Sequence, residues 1–269
     1  MSNLLRRLPA LALCICLLTG CAAQTPEEPV ETQPETKTVY IHKSMTRSQG
    51  NTIGRTDYIY DDENMLTDVI ISNAAGEELE RYLVSCDENG NPVEWTSATG
   101  TSILYTYDAQ GRTLRTETYS DDTLLTSTEY TWSGALRVSV TVKTLTQEQR
   151  TEYTYDDKGC LIRQDLYTGG VLTSYGLFTL NEAGKAAACS TFDPQNNPIA
   201  EVTYEYDGAT EKRTTTDLEG KVLQTQLQTY DEHGNLLENK LSDAGGLELT
   251  EVHEWIGIEV PVDAPRAGV

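Results

Sequence analysis

The fold turns on a string that occurs twice: Tyr105-Thr106-Tyr107-Asp108-Ala109-Gln110-Gly111 returns as Tyr153-Thr154-Tyr155-Asp156-Asp157-Lys158-Gly159. A third copy is Tyr230-Asp231-Glu232-His233-Gly234-Asn235-Leu236. Shorter ones at Tyr58-Ile59-Tyr60-Asp61, Cys86-Asp87-Glu88-Asn89-Gly90 and Tyr204-Glu205-Tyr206-Asp207-Gly208 carry the series from Arg55 to Asn239. Their spacing is about 24 residues, the mark of one supersecondary unit copied end to end. Midway between copies lies a second set of breakers, among them Ala74-Ala75-Gly76, Ser120-Asp121-Asp122, Thr168-Gly169-Gly170 and Ala244-Gly245-Gly246. The chain therefore turns about every 12 residues, one strand plus one tight connection. Aspartate at the start of such a turn caps backbone N–H groups, and glycine at its end takes the positive φ that other residues resist.

Between turns the side chains alternate, as in Leu136, Val138, Val140 and Val142 against Arg137, Ser139 and Thr141. That is the period of half-buried strands. Connections this short leave no room for crossover helices, so the expected fold is all-β: an antiparallel meander of about sixteen strands, as a single sheet curled or closed like a barrel. Thr144 to Arg150 is read as the one wider connection, with room for a helical turn.

The recurring Tyr-x-Tyr-Asp-x-x-Gly pattern resembles the YD repeats of the RHS family, clearest at Tyr153–Leu161 and Tyr230–Leu236. The resemblance implies β-sheets wound into shells, filaments or cell-surface binding structures, and it implies little about activity. The paired rings Tyr105 and Tyr107, Tyr153 and Tyr155, and Tyr204 and Tyr206 share a face by period-two geometry and are the candidate binding residues. Turned outward they would suit sugar rings or apolar peptides; turned inward they are core.

Ahead of the repeats, Arg6 and Arg7 precede an apolar run from Leu8 to Leu18, too short to span a bilayer of roughly 30 Å and of signal-peptide length. It ends in Leu18-Thr19-Gly20-Cys21, which resembles the lipobox of bacterial lipoproteins. The resemblance implies cleavage before Cys21 and lipid on its thiol, an anchor worth about 0.8 kcal/mol per buried methylene. The expected organisation is a signal peptide over 1–20, a lipidated cysteine and Pro/Glu/Thr stalk over 21–38, a β-repeat domain over 39–257 and a tail over 258–269. The stalk composition favours an extended chain.

Twenty basic against 42 acidic residues leave a net charge of −22. Such a surface repels phosphate backbones, and nucleic acid is not an expected partner. Beyond Cys21 the thiols are Cys86, Cys160 and Cys189, an odd set without a Cys-x-x-Cys pair, which points to free, largely buried cysteines. The acidic turns Asp61-Asp62-Glu63, Asp121-Asp122 and Asp156-Asp157 fit no calcium loop, and turn chemistry explains them; neither metal nor cofactor is expected. His42, His233 and His253 are the only histidines, and neither a nucleophile elbow, a zinc-protease helix nor a phosphate loop is present. The expectation is a non-catalytic protein anchored outside the cytoplasm, at the cell surface or in the envelope, presenting its sheet to a glycan or surface protein or serving as a structural element. The alternative is a glycan hydrolase with paired carboxylates.

Overall fold

The computed structural model describes residues 36–50 and 52–262. The expected signal peptide, Cys21 and most of the expected stalk, with the last residues of the expected tail, lie outside them. The described chain is a succession of strands without a helix. The first nine are β1 (Thr36–Gln49), β2 (Thr52–Tyr60), β3 (Leu66–Asn73), β4 (Glu78–Cys86), β5 (Pro92–Ser97), β6 (Thr101–Tyr107), β7 (Thr113–Ser120), β8 (Thr123–Ser133) and β9 (Leu136–Thr144). The second nine are β10 (Glu148–Tyr155), β11 (Leu161–Thr168), β12 (Val171–Leu180), β13 (Ala186–Phe192), β14 (Pro198–Asp207), β15 (Thr210–Thr216), β16 (Val222–Tyr230), β17 (Leu236–Asp243) and β18 (Glu248–Pro261).

Each strand pairs antiparallel with its neighbours in sequence, and β1 pairs antiparallel with β18 over most of its length, from Thr36↔Pro261 to Gln49↔Leu249. The sheet is thus a closed 18-stranded barrel without a free edge. Strands β2 to β17 are the expected sixteen. The two that close the ring lie outside the recognisable repeats, and they take in Thr36, Lys37 and Thr38 on one side and 258–261 on the other. The connection at Thr144 is not wide and holds no helical turn: Thr144 N–H reaches Gln147 O at 2.8 Å, and its hydroxyl accepts from the N–H groups of Thr146 and Gln147.

The repeat turns are built alike. At Asp156 the carboxylate Oδ1 accepts from Lys158 N–H (2.9 Å) and Cys160 N–H (2.8 Å), while Gly159, at φ +80°, donates to Asp156 O (3.0 Å). The same pair of side-chain bonds recurs at Asp61, Asp87, Asp108, Asp193, Asp217, Asp231 and Asp243, and at Asn73 and Asn181. Asn64 and Asn196 stand in the glycine's place in two of these turns, at φ 63° and 67°. The extra residue on the strand leaving most of these turns shifts its register as a bulge, which adds twist and bends the sheet toward closure.

Residues that face each other across the ladder share a side of the sheet. Tyr58, Val69, Tyr82, Trp95, Ile103, Tyr105, Thr116, Thr128, Tyr130, Val140 and Tyr153 fall on one face. This face is the concave one, because Tyr105 on β6 is close enough to Tyr58 on β2 and Tyr130 on β8 for their hydroxyls to influence its own. The opposite face carries ion pairs along the strands, such as Arg81–Asp68 (2.9 Å), Arg115–Glu117 (2.7 Å) and Lys143–Glu129 (3.8 Å). A circular ring of 18 strands, spaced about 4.8 Å and tilted about 40°, is roughly 35 Å across, more than side chains can fill. Among the described residues the buried apolar side chains are few: Ile41, Leu66, Val69, Tyr175 and Cys189. Most inward side chains keep some contact with solvent, so the barrel is a shell and not a solid core.

Candidate functional site

A set of inward aromatics lines the end of the barrel that carries the Tyr-Asp turns. Tyr60 donates its hydroxyl to His42 O (2.9 Å), Tyr107 to Pro92 O (2.8 Å) and Tyr155 to Arg137 O (2.7 Å). The indoles of Trp132 and Trp255 do the same to Thr113 O (2.9 Å) and Leu236 O (2.8 Å). In every case an aromatic on an even-numbered strand satisfies a carbonyl in the strand before it. Burial raises the Tyr60 and Tyr107 hydroxyls to about 12, so they stay protonated donors. Tyr60, Tyr107 and Tyr155, the second tyrosines of their repeats, are therefore rim clamps.

All six candidate tyrosines point inward, with Thr106, Thr154 and Glu205 exposed between them. They do not form a single ladder. Tyr105 and Tyr107 stack with centroids 6.5 Å apart on β6. Tyr153 lies under the Arg137 guanidinium at 5.1 Å, Tyr204 under Arg213 at 5.6 Å and Tyr206 under the Lys185 ammonium at 4.8 Å, in other sectors of the ring. The three cysteines are free. The Cys86 thiol, pushed up by burial, donates to Leu66 O (3.5 Å).

Ring closure creates a cluster that no local motif announces. His42 on β1 and His253 on β18 meet across the seam, Nε2 to Nδ1 at 3.0 Å. His42 also stacks on Tyr58 (4.5 Å) and Trp255 (4.6 Å). Burial, then the nearby His253, lowers the His42 pKa to about 4, against a raising hydrogen bond to the Ser44 backbone. Burial lowers His253 too. Both rings are neutral at pH 7. Of His42 Nε2 and His253 Nδ1 one donates to the other, and the remaining ring nitrogen of His253 is Nε2. That atom is buried without a partner, and so is the indole Nε1 of Trp95. Trp95 stands between Tyr82 (6.1 Å) and Tyr105 (5.8 Å).

A second sector of the interior is polar. One cross-strand row runs Tyr206, Glu211, Gln228, Asn239, Glu251, Arg47 over β14 to β18 and β1. Arg213 Nε donates to Glu211 at 2.5 Å, Gln226 to Asn239 at 2.8 Å and Asn239 to Glu251 at 2.9 Å; Arg47 Nε lies 3.6 Å from Glu251. The signal was present in Val222–Tyr230, where the inward positions are Gln224, Gln226 and Gln228 and the outward ones Leu223, Thr225 and Leu227. Glu211 and Glu251 lie three strand spacings apart, about 14 Å, wider than the roughly 5–9.5 Å of a glycosidase pair.

Fold and interior together define a closed antiparallel β-shell, aromatic and partly polar within and ion-paired without. The chain belongs to the family described as "Uncharacterised protein", whose model matches residues 68–212, over half its length. Among curated protein sequences none matches it. It is similar in structure to the Tc holotoxin pore of Photorhabdus luminescens, at 10% identity and a TM-score of 0.29, over 76% of this chain and 15% of that one. It therefore spans about 15% of the length of that relative. It is also similar to a porin-like protein of Bacteroides uniformis (11% identity, TM-score 0.28, 80% of this chain and 96% of that one). A Bacteroides fragilis protein of unknown function matches at 8% identity and a TM-score of 0.25, over 51% of this chain and 92% of that one.

Proposed function

We propose that the protein is a bacterial lipoprotein, held to a membrane by lipid on Cys21, whose RHS-like β-shell is non-catalytic and binds a glycan or protein partner or serves as an envelope element. The observation that carries this reading is the polarity of the wall. An outer-membrane barrel turns an apolar band to lipid, and Arg or Lys at the bilayer midplane costs it about 2–4 kcal/mol. Here the outer face within the strands holds Arg81 and Arg115 in ion pairs, interspersed with exposed apolar residues such as Leu83, so the shell belongs in water and the membrane attachment falls to the N-terminus. The non-catalytic reading is supported by what the conspicuous residues do: aspartates cap turns, second tyrosines clamp the rim, and the inward carboxylates are held in a hydrogen-bonded row.

Two experiments test it. Labelling cells with a radioactive fatty acid is expected to mark the wild type and not Cys21→Ser; an unlabelled wild type removes the anchor. Glycan and peptide arrays probed with the protein are expected to give saturable binding without turnover, and hydrolysis of an arrayed glycan would replace the binding reading with the hydrolase.

A further inference from the structure

We propose that the pocket between the β4–β5 and β6–β7 turns takes a small organic cation, a guanidinium or primary ammonium group seated against Tyr105 and Tyr107 beside Asp87. This site goes beyond the glycan or protein partner proposed above and stands without it. Four of the capped turns pair the residue four positions after the capping Asp or Asn with an aromatic on the next even-numbered strand. The pairs are Asn91 with Tyr107, Arg112 with Trp132, Lys185 with Tyr206 and Asn235 with Trp255. Arg112 lays its guanidinium over Trp132 at 5.4 Å, and Lys185 its ammonium over Tyr206 at 4.8 Å, so at these two places the chain supplies the cation itself. At the Asn235 turn His42 stacks on Trp255 instead, at 4.6 Å. The Asn91 and Arg112 turns match closely: Tyr107 donates to Pro92 O and Trp132 to Thr113 O, in each case the carbonyl one residue beyond the seat. Asn91 has no charge to offer its ring.

In place of that cation there is space. A pocket of about 570 Å³ opens here, lined by Asp87, Asn91, Val93, Tyr105, Tyr107 and Asp108 among others, a size usual for small-molecule sites. Tyr105 and Tyr107 stand nearly parallel, their centroids 6.5 Å apart. Among the described residues cations lie over Tyr153, Tyr167, Tyr175, Tyr204 and Tyr206 and over neither of these two. Asn91 is 8% exposed and spends its Nδ2 on Asp87 Oδ2 at 2.9 Å. Its Oδ1 lies 3.9 Å from where a side chain on Gly111 would begin, and it accepts no hydrogen bond. Unlike Trp95 Nε1 and His253 Nε2, this oxygen is not sealed from solvent, so an N–H donor reaches it. Asp108 is neutralised by Arg112, whereas Asp87 has no ion pair among the described residues. Burial works to raise the Asp87 carboxyl, and hydrogen bonds from Asn91 and Asn89 outweigh it and hold the group low, so its charge is present at pH 7. A bare metal ion is the poorer occupant, because the Asp87 oxygens already hold the N–H groups of Asn89 and Asn91. An anion is repelled by that carboxylate and by the net charge of −22.

The test is calorimetric titration of the full-length protein at pH 7 with agmatine, which carries a guanidinium and a primary ammonium, and separately with maltose and glutamate. Agmatine is expected to bind saturably, more weakly as salt is raised, while maltose and glutamate give no heat of binding. Asn91→Arg places in this turn the residue that the next turn holds at Arg112, together with its bond to the capping aspartate. It should fill the seat and weaken agmatine by more than about ten-fold without lowering the urea unfolding midpoint. Tyr105→Leu, which leaves the turn untouched and removes one ring wall, should weaken it about ten-fold. Thr154→Ala, on the outer face of β10, should leave it unchanged. Agmatine binding indifferent to both Asn91→Arg and Tyr105→Leu, binding of maltose or glutamate in its place, or no binding of agmatine would overturn the proposal.

Discussion

Acidification should loosen the seam that closes the ring, and His42 sets the size of the effect. Its pKa in the folded protein is about 4 against 6.5 for the free side chain. A depressed histidine favours the native state while neutral. The unfolded chain takes up the proton first, so the stabilisation is complete above pH 6.5, falls as pH drops toward 4, and falls no further below that. At 1.36 kcal/mol per unit, and discounted for the solvent that still reaches the ring, the loss is about 2–3 kcal/mol. Burial of His253 acts in the same direction; the two rings are coupled, so their effects are not added. Protonating carboxylates relieves the net charge and works the other way, which makes the comparison with a variant decisive. Urea unfolding at pH 7, 6, 5 and 4.5 should show the wild type losing this amount relative to His42→Phe, which keeps the stack on Tyr58 and Trp255 without a titrating group. Equal pH slopes for the two proteins would refute the argument.

Three further outcomes follow from the same geometry. Asp156→Ala removes both caps of its turn and should cost about 1–2 kcal/mol in urea unfolding. Gly159→Val should cost about as much through its φ of +80°, whereas Gly159→Asn should be nearly neutral because asparagine already occupies this place at Asn64 and Asn196. Glu211→Leu alone should cost about 3 kcal/mol by removing the carboxylate that Arg213 pairs with, while Glu211→Leu with Arg213→Met should cost clearly less; additive losses in the double-mutant cycle would contradict the pairing. Trp132→Phe removes the donor to Thr113 O and should cost about 1 kcal/mol without altering the far-ultraviolet circular dichroism.

Strand order, turn sites and barrel-like curvature were legible because each is written locally. The Asp or Asn that opens each capped turn and the Gly or Asn that closes it report their own hydrogen bonds and φ, and Val138, Val140 and Val142 report a face. The seam was not legible. Strands β1 and β18 lack the tyrosine repeat, and His42 meets His253 across 211 residues of chain only because sixteen strands bring the ends together. The binary pattern also misleads between Thr210 and Asp243, where a shell with a wet interior tolerates glutamines inside and leucines outside, an arrangement a dry core forbids. Of the candidate tyrosines, the sequence marked the face correctly but could not separate rim clamps such as Tyr107 and Tyr155 from rings such as Tyr105 that line the wall.

Closure of the ring is the claim on which the histidine pair and the shell both depend. Thr38 and Glu259 face each other on β1 and β18, their side chains 2.6 Å apart. With cysteine substituted at both positions, mild oxidation of the folded protein should form an intramolecular disulfide, read as a linked tryptic peptide by mass spectrometry and abolished by unfolding in urea before oxidation. Folded protein that yields no such linkage would mean the first and last strands are not neighbours, and the sheet would be open.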